Sequence, residues 1–91
     1  MSELRKLVLK YIGNVERAFE TMQILLDNNV LISKEKVEEI VDYAMRYLKD
    51  SKYYFDRNRF EVALASVVYC EGLLDALRLL GLVKFEWLTE K

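Results

Sequence analysis

Apolar residues recur along the chain with helical spacing in three separate stretches. Stepping about 100° per residue, Leu4, Leu7, Val8, Tyr11, Ile12, Val15, Ala18, Phe19, Met22, Leu25 and Leu26 fall on one stripe. Arg5, Lys6, Lys10, Glu16, Arg17 and Glu20 face away from it. This pattern predicts an amphipathic helix over residues 3–27, ended by Asp27-Asn28-Asn29, whose short polar side chains compete for backbone hydrogen bonds. Val30-Leu31-Ile32 leads to Ser33, an N-cap residue, and Glu35 is well placed against the helix dipole. The second helix is expected over 34–57, with Val37, Ile40, Val41, Ala44, Leu48, Ser51 and Phe55 on its buried stripe and Met45 and Tyr47 at the edges. Asp56-Arg57-Asn58-Arg59 reads as a tight turn with Asn58 in the left-handed conformation.

The third stretch is different in kind. From Glu61 to Leu80, EVALASVVYCEGLLDALRLL, only Glu61, Ser66, Glu71, Gly72, Asp75 and Arg78 interrupt the apolar residues. A helix apolar nearly all round needs cover on several sides. Taking Val62, Ser66, Cys70, Leu73, Ala76, Leu77 and Leu80 as its core face leaves Leu64, Val68 and Leu79 among the polar residues, to be covered by the C-terminal segment or by a second molecule. The helix is expected over 60–80, with Gly81 closing it. Phe85, Trp87 and Leu88 beyond it are too apolar to sit freely in water, and should fold back onto the bundle or dock on a partner.

Three long helices with two short connections imply an all-α fold: an antiparallel three-helix bundle with a short C-terminal aromatic segment packed on it. At 91 residues the chain makes one helical domain, 1–91, near the lower size limit for a single hydrophobic core. Charge is balanced, 14 Lys and Arg against 15 Asp and Glu, so bulk charge does not make this a nucleic-acid protein. The chain has no proline, which lets long helices run unbroken, and no histidine, which removes the commonest general base and transition-metal ligand. Ser-His and Cys-His nucleophile arrangements are thereby excluded. Cys70, alone among apolar neighbours, reads as a buried thiol. With no signal peptide and no apolar run of membrane-spanning length, a soluble cytoplasmic protein is the default expectation.

Tyr53-Tyr54-Phe55, the turn through Asn58 to Phe60, and the run ALASVVYCEGLLDALRLLG together resemble the small archaeal family catalogued as domain of unknown function 357. The resemblance implies a compact helical domain and no assigned activity. The junction from Phe60 to Leu64 is also similar to that of tetratricopeptide and nucleotide-associated helical domains. No second copy occurs at a fixed period, however, and the ribonuclease form of the latter requires a histidine.

Three constellations could carry function. Leu64, Val68, Leu79, Phe85 and Trp87 would make a contact surface for a second copy of the chain or another protein partner, since a self-complementary patch on a small helical protein commonly makes a two-fold pair. Arg46, Lys49, Lys52, Tyr53, Arg57 and Arg59 interleave cations and aromatics, as phosphate contact with base stacking requires, although Asp42, Asp50 and Asp56 are mixed in. Glu39 and Asp42 with Glu71 and Asp75 are the candidate ligands of a hard cation such as Mg²⁺ in a nucleotide hydrolase, where carboxylates on two helices hold a phosphate-bridging metal. The alternative for that set has Glu71 bonded to a tyrosine or an arginine, and Asp75 paired to Arg78 three residues on. The expectation is a homodimeric structural or protein-interaction module without cofactor, ahead of a nucleotide- or RNA-binding accessory domain and a metal-dependent hydrolase.

Overall fold

A computed structural model describes residues 2–25 and 32–88. Helices α1 (Glu3–Thr21), α2 (Lys34–Asp56) and α3 (Phe60–Leu79) pack as an antiparallel bundle 50 Å long. Two short strands, β1 (Gln23–Ile24) and β2 (Val83–Lys84), join the chain leaving α1 to the chain leaving α3. The contact between α2 and α3 is the most extensive, and α1 packs chiefly on α3. α3 is therefore the central element, as its composition demands. Val8, Ile12, Val15 and Ala18 of α1, Val37 and Ala44 of α2, and Ala63, Val67, Cys70, Leu74 and Leu77 of α3 form the core, closed by Leu82, Val83 and Phe85.

Local chemistry sets the ends of each helix. The Ser2 and Ser33 hydroxyls accept hydrogen bonds from the amides of Arg5 and Lys36, at 3.1 and 3.2 Å, satisfying first-turn donors that have no partner within the helix. The ends of α2 and α3 close alike. Asn58 (φ 60°) and Gly81 (φ 75°) take the left-handed conformation expected of them. The amides of Arg59 and Leu82 then donate to the carbonyls of Tyr54 and Leu77, five residues back, at 2.9 and 3.0 Å. After Asn58 the chain reverses within three residues, which makes α2 and α3 an antiparallel pair.

Two expectations need correction. α1 stops at Thr21 instead of running to residue 27, and α2 and α3 each end one residue early. Met22 has extended backbone, and Gln23 and Ile24 pair antiparallel with Lys84 and Val83. The Leu25 amide donates to the Leu82 carbonyl at 2.8 Å. Thr21 helps the exit: its hydroxyl donates to the Arg17 carbonyl at 3.0 Å and accepts from the Glu86 amide at 2.7 Å. The apolar stripe through Met22 and Leu25 matches a helix locally, but a strand partner sixty residues away supplies better-placed hydrogen bonds. The expected break at Asp27-Asn28-Asn29 and the lead-in through Leu31 lie outside the described residues.

The second correction concerns the facing of α3. Ala63, Val67, Cys70, Glu71, Leu74 and Leu77 are buried, whereas Ala76 and Leu80, assigned to the core face from sequence, are exposed. Val62, Ser66 and Leu73 sit at the margin. The helix is rotated from the expected facing because apolar residues on every side give the periodicity little to choose by, and close packing of Ala63 and Val67 decides instead.

The C-terminal segment folds back on the bundle. Phe85 is buried, Trp87 is half-buried, and their rings meet edge to face with centroids 4.8 Å apart. Leu88 comes so close to Gly13 of α1 that a side-chain carbon there would lie 3.2 Å from Leu88 Cδ2. Glu86 pairs with Arg17 across the same seam at 3.7 Å. The segment thus covers α1 and leaves the outer side of α3 bare.

Candidate functional site

The outer side of α3 is built by the same helical stepping that builds its core. Ala65, Val68, Tyr69, Gly72, Ala76, Leu79 and Leu80 lie within an arc of about 120° opposite Val67 and Leu74, and all seven are exposed. Exposure reaches 78% at Leu79, 66% at Leu80, 56% at Tyr69 and 45% at Val68. Only Glu61, at the helix start, brings charge into the arc. It is paired with Arg59 at 3.1 Å, and hydrogen bonding to its own backbone amide, then to Arg59, lowers its carboxyl pKa. Asp75 and Arg78, bonded to each other at 3.1 Å, lie along one margin. Along the other, Tyr69 stacks on Tyr47 of α2 at 4.4 Å, and these rings join Ile40, Tyr43 and Leu73 around a groove of about 250 Å³.

Of the five residues expected at a contact surface, only Val68 and Leu79 lie fully on this face. Leu64 is half-buried against the core, turned there by the rotation of the helix, while Phe85 is buried in the core and Trp87 lies at the seam with α1. Tyr69 and Leu80 belong to the face and were missed. A correct facing of α3 would have found both, but nothing local in the sequence supplies that facing.

The acidic set does not assemble. Glu39 is exposed and pairs with Lys36 at 3.3 Å, and Asp42 is exposed beside Met45, Arg46 and Lys49. Glu71 is buried on the inner side of α3, and Asp75 is held by Arg78. Among the described residues no three His, Cys, Asp or Glu side chains come together in a way that could hold a metal ion.

The basic and aromatic cluster is largely engaged within itself. Arg57 lies over the Tyr53 ring at 3.6 Å and donates to the Tyr53 carbonyl at 3.3 Å, Arg46 lies over Tyr43 at 5.2 Å, and Arg59 is bound to Glu61. Lys52 reaches across to Glu16 of α1. Lys49 is exposed beside Asp42, and six carboxylates share α2 with five cations, so the helix presents no continuous cationic track.

Cys70 lies deep in the core, and burial, with the neighbouring Glu71 carboxylate, pushes its thiol up to about 12. At neutral pH it is an inert packing group.

The profile of the family described as protein of unknown function (DUF357) matches residues 10–83. The chain belongs to the DUF357 family. The match extends from the middle of α1 to the first residue of β2, so the DUF357 unit includes the whole of α3 and its outer face. Comparison with curated proteins and with solved structures gives no match. No helix among the described residues is long and apolar enough to cross a membrane.

Proposed function

We propose that this DUF357 chain is a structural or protein-interaction module whose contact surface is the outer face of α3, and that it works as a homodimer. The observation carrying this reading is the size and continuity of the uncharged surface between Ala65 and Leu80. Taking roughly 200 Å² for each large side chain, Val68, Tyr69, Leu79 and Leu80 leave on the order of 500 Å² of apolar surface in water. Such a patch reaches the upper range for a monomer and lies on one helix, where covering it removes it from water as a unit. The C-terminal aromatics, which could have covered it, are committed elsewhere, Phe85 to the core and Trp87 to the seam with α1.

Val68→Asp places a charge on the face at a position outside the buried core. Light scattering at high micromolar concentration should give the mass of a dimer for the unmodified chain and of a monomer for the variant, with helical circular dichroism unchanged. A monomer for the unmodified chain would remove the homodimer reading.

A further inference from the structure

Gly72 stands at the centre of the exposed face, in the interior of a twenty-residue helix. Glycine there weakens the helix relative to alanine, and nothing among the described residues calls for it. A Cβ at Gly72 would meet no atom within 4 Å, in contrast to Gly13, where Leu88 occupies the space. A glycine that a chain's own fold does not require, set in an apolar face, suits the close approach of another backbone.

The residues on either side of Gly72 suggest whose backbone it is. Ala65 and Leu79 lie seven positions before and after it, and Val68 and Ala76 four positions before and after it. Two copies of α3 crossing antiparallel at Gly72 set Leu79 of each over Ala65 of the other, and Val68 over Ala76. Large side chains then meet small ones along the whole contact, as interdigitated packing requires. A parallel pair would set Leu79 on Leu79 and Ala65 on Ala65, crowding one end and leaving a gap at the other. Covering about 500 Å² on each copy, with the small residues added, reaches the roughly 1,000 Å² at which a specific interface begins.

From this complementarity we infer that the partner at the α3 face is a second copy of the chain, bound antiparallel with the two helices crossing at Gly72. This rests on the homodimer reading and adds its geometry. In the pair, Tyr69 of each protomer packs beside Ala76 of the other, extending the tyrosine groove across the two-fold axis.

Disulfide trapping reads this register directly, because bridged Cα atoms must lie within about 7 Å. Gly72→Cys, Ala65→Cys and Leu79→Cys are made in the native background, where Cys70 is buried, and again with Cys70→Ala. Each is equilibrated at high micromolar concentration in a glutathione buffer and read on a non-reducing gel, with Lys49→Cys on α2 as the measure of random collision. Gly72→Cys should link to itself in most molecules, at least tenfold above Lys49→Cys. Ala65→Cys and Leu79→Cys should each fail alone, since residue 65 of one copy lies about 21 Å from residue 65 of the other at 1.5 Å per residue. Mixed together, the two should link.

Self-linking of Ala65→Cys and of Leu79→Cys would mean parallel helices, overturning the register and keeping the dimer. Linking of Gly72→Cys no better than Lys49→Cys, in a chain that still sediments as a dimer, would place the contact on another face. A monomeric sedimentation mass for the unmodified chain would remove the homodimer reading along with the register.

Discussion

α2 and α3 pack against each other more extensively than any other pair of elements, yet their outer faces have little in common. α2 carries eleven charged residues in twenty-three, and its exposed side is a solvated mixture of both signs. α3 carries four in twenty, of which Glu71 is buried and only Glu61 enters the outer arc. One stripe of apolar residues satisfies α2, because the bundle covers one stripe. α3 has more apolar surface than two neighbouring helices and a C-terminal strap can cover, and the excess is gathered on one side instead of scattered. Core packing accounts only for the opposite side, and the proposed pairing would account for that gathering.

The sharpest way to break the comparison is to remove one leucine from each side of α3. Leu74→Ala, in the fully buried face, should lower the unfolding free energy by about 2–5 kcal/mol, measured by urea denaturation. Leu79→Ala, on the outer face, should change the stability of the dilute monomer by no more than about 0.5 kcal/mol. Equal losses would mean that the outer face is covered within the chain.

The seam between α2 and α3 gives a smaller effect. The buried Ser51 hydroxyl donates to the Ala63 carbonyl at 2.7 Å, so Ser51→Ala should cost about 1 kcal/mol on the same denaturation curve. A cost near zero would mean that this bond adds nothing to the helix pair.

Cys70 sharpens the contrast through pH. Its thiol is held neutral in the folded state up to about 12, while the unfolded chain releases that proton at the ordinary thiol value. Above that value the unfolded state binds fewer protons, so the Cys70 contribution is intact below it and stability falls as pH rises toward 12. Cys70→Ala should flatten the decline between pH 9 and 11, measured by denaturation at each pH against the unmodified chain. An unchanged slope would mean that the thiol is not buried as described. Arg78→Ala should have the smallest effect, within about 0.5 kcal/mol, because its ion pair with Asp75 lies at the surface, partly exposed to water. A larger loss would give the margin of the outer face a structural role.

Much of this architecture was legible in the chain. The stripes on the first two helices, the Ser33 cap, left-handed Asn58 and Gly81, and the fold-back of the C-terminal aromatics all follow from local rules. The early end of α1 did not, because Gln23 and Ile24 are turned into a strand by Val83 and Lys84, and no pattern around residue 23 announces a partner so distant. The facing of α3 did not either, since Ala63 and Val67 point inward through close packing with α1 and α2 while Ala76 and Leu80 are equally apolar and point out. Of the residues expected at a contact surface, Val68 and Leu79 are exposed, whereas Leu64, Phe85 and Trp87 are packed within the chain.

The central claim, that the outer face of α3 is an interface between copies of this chain, is tested most directly by sedimentation equilibrium of the unmodified protein over a micromolar concentration series. The account predicts a mass that rises to twice the chain's 10.8 kDa as concentration increases. A single mass of one chain across the whole series would contradict it.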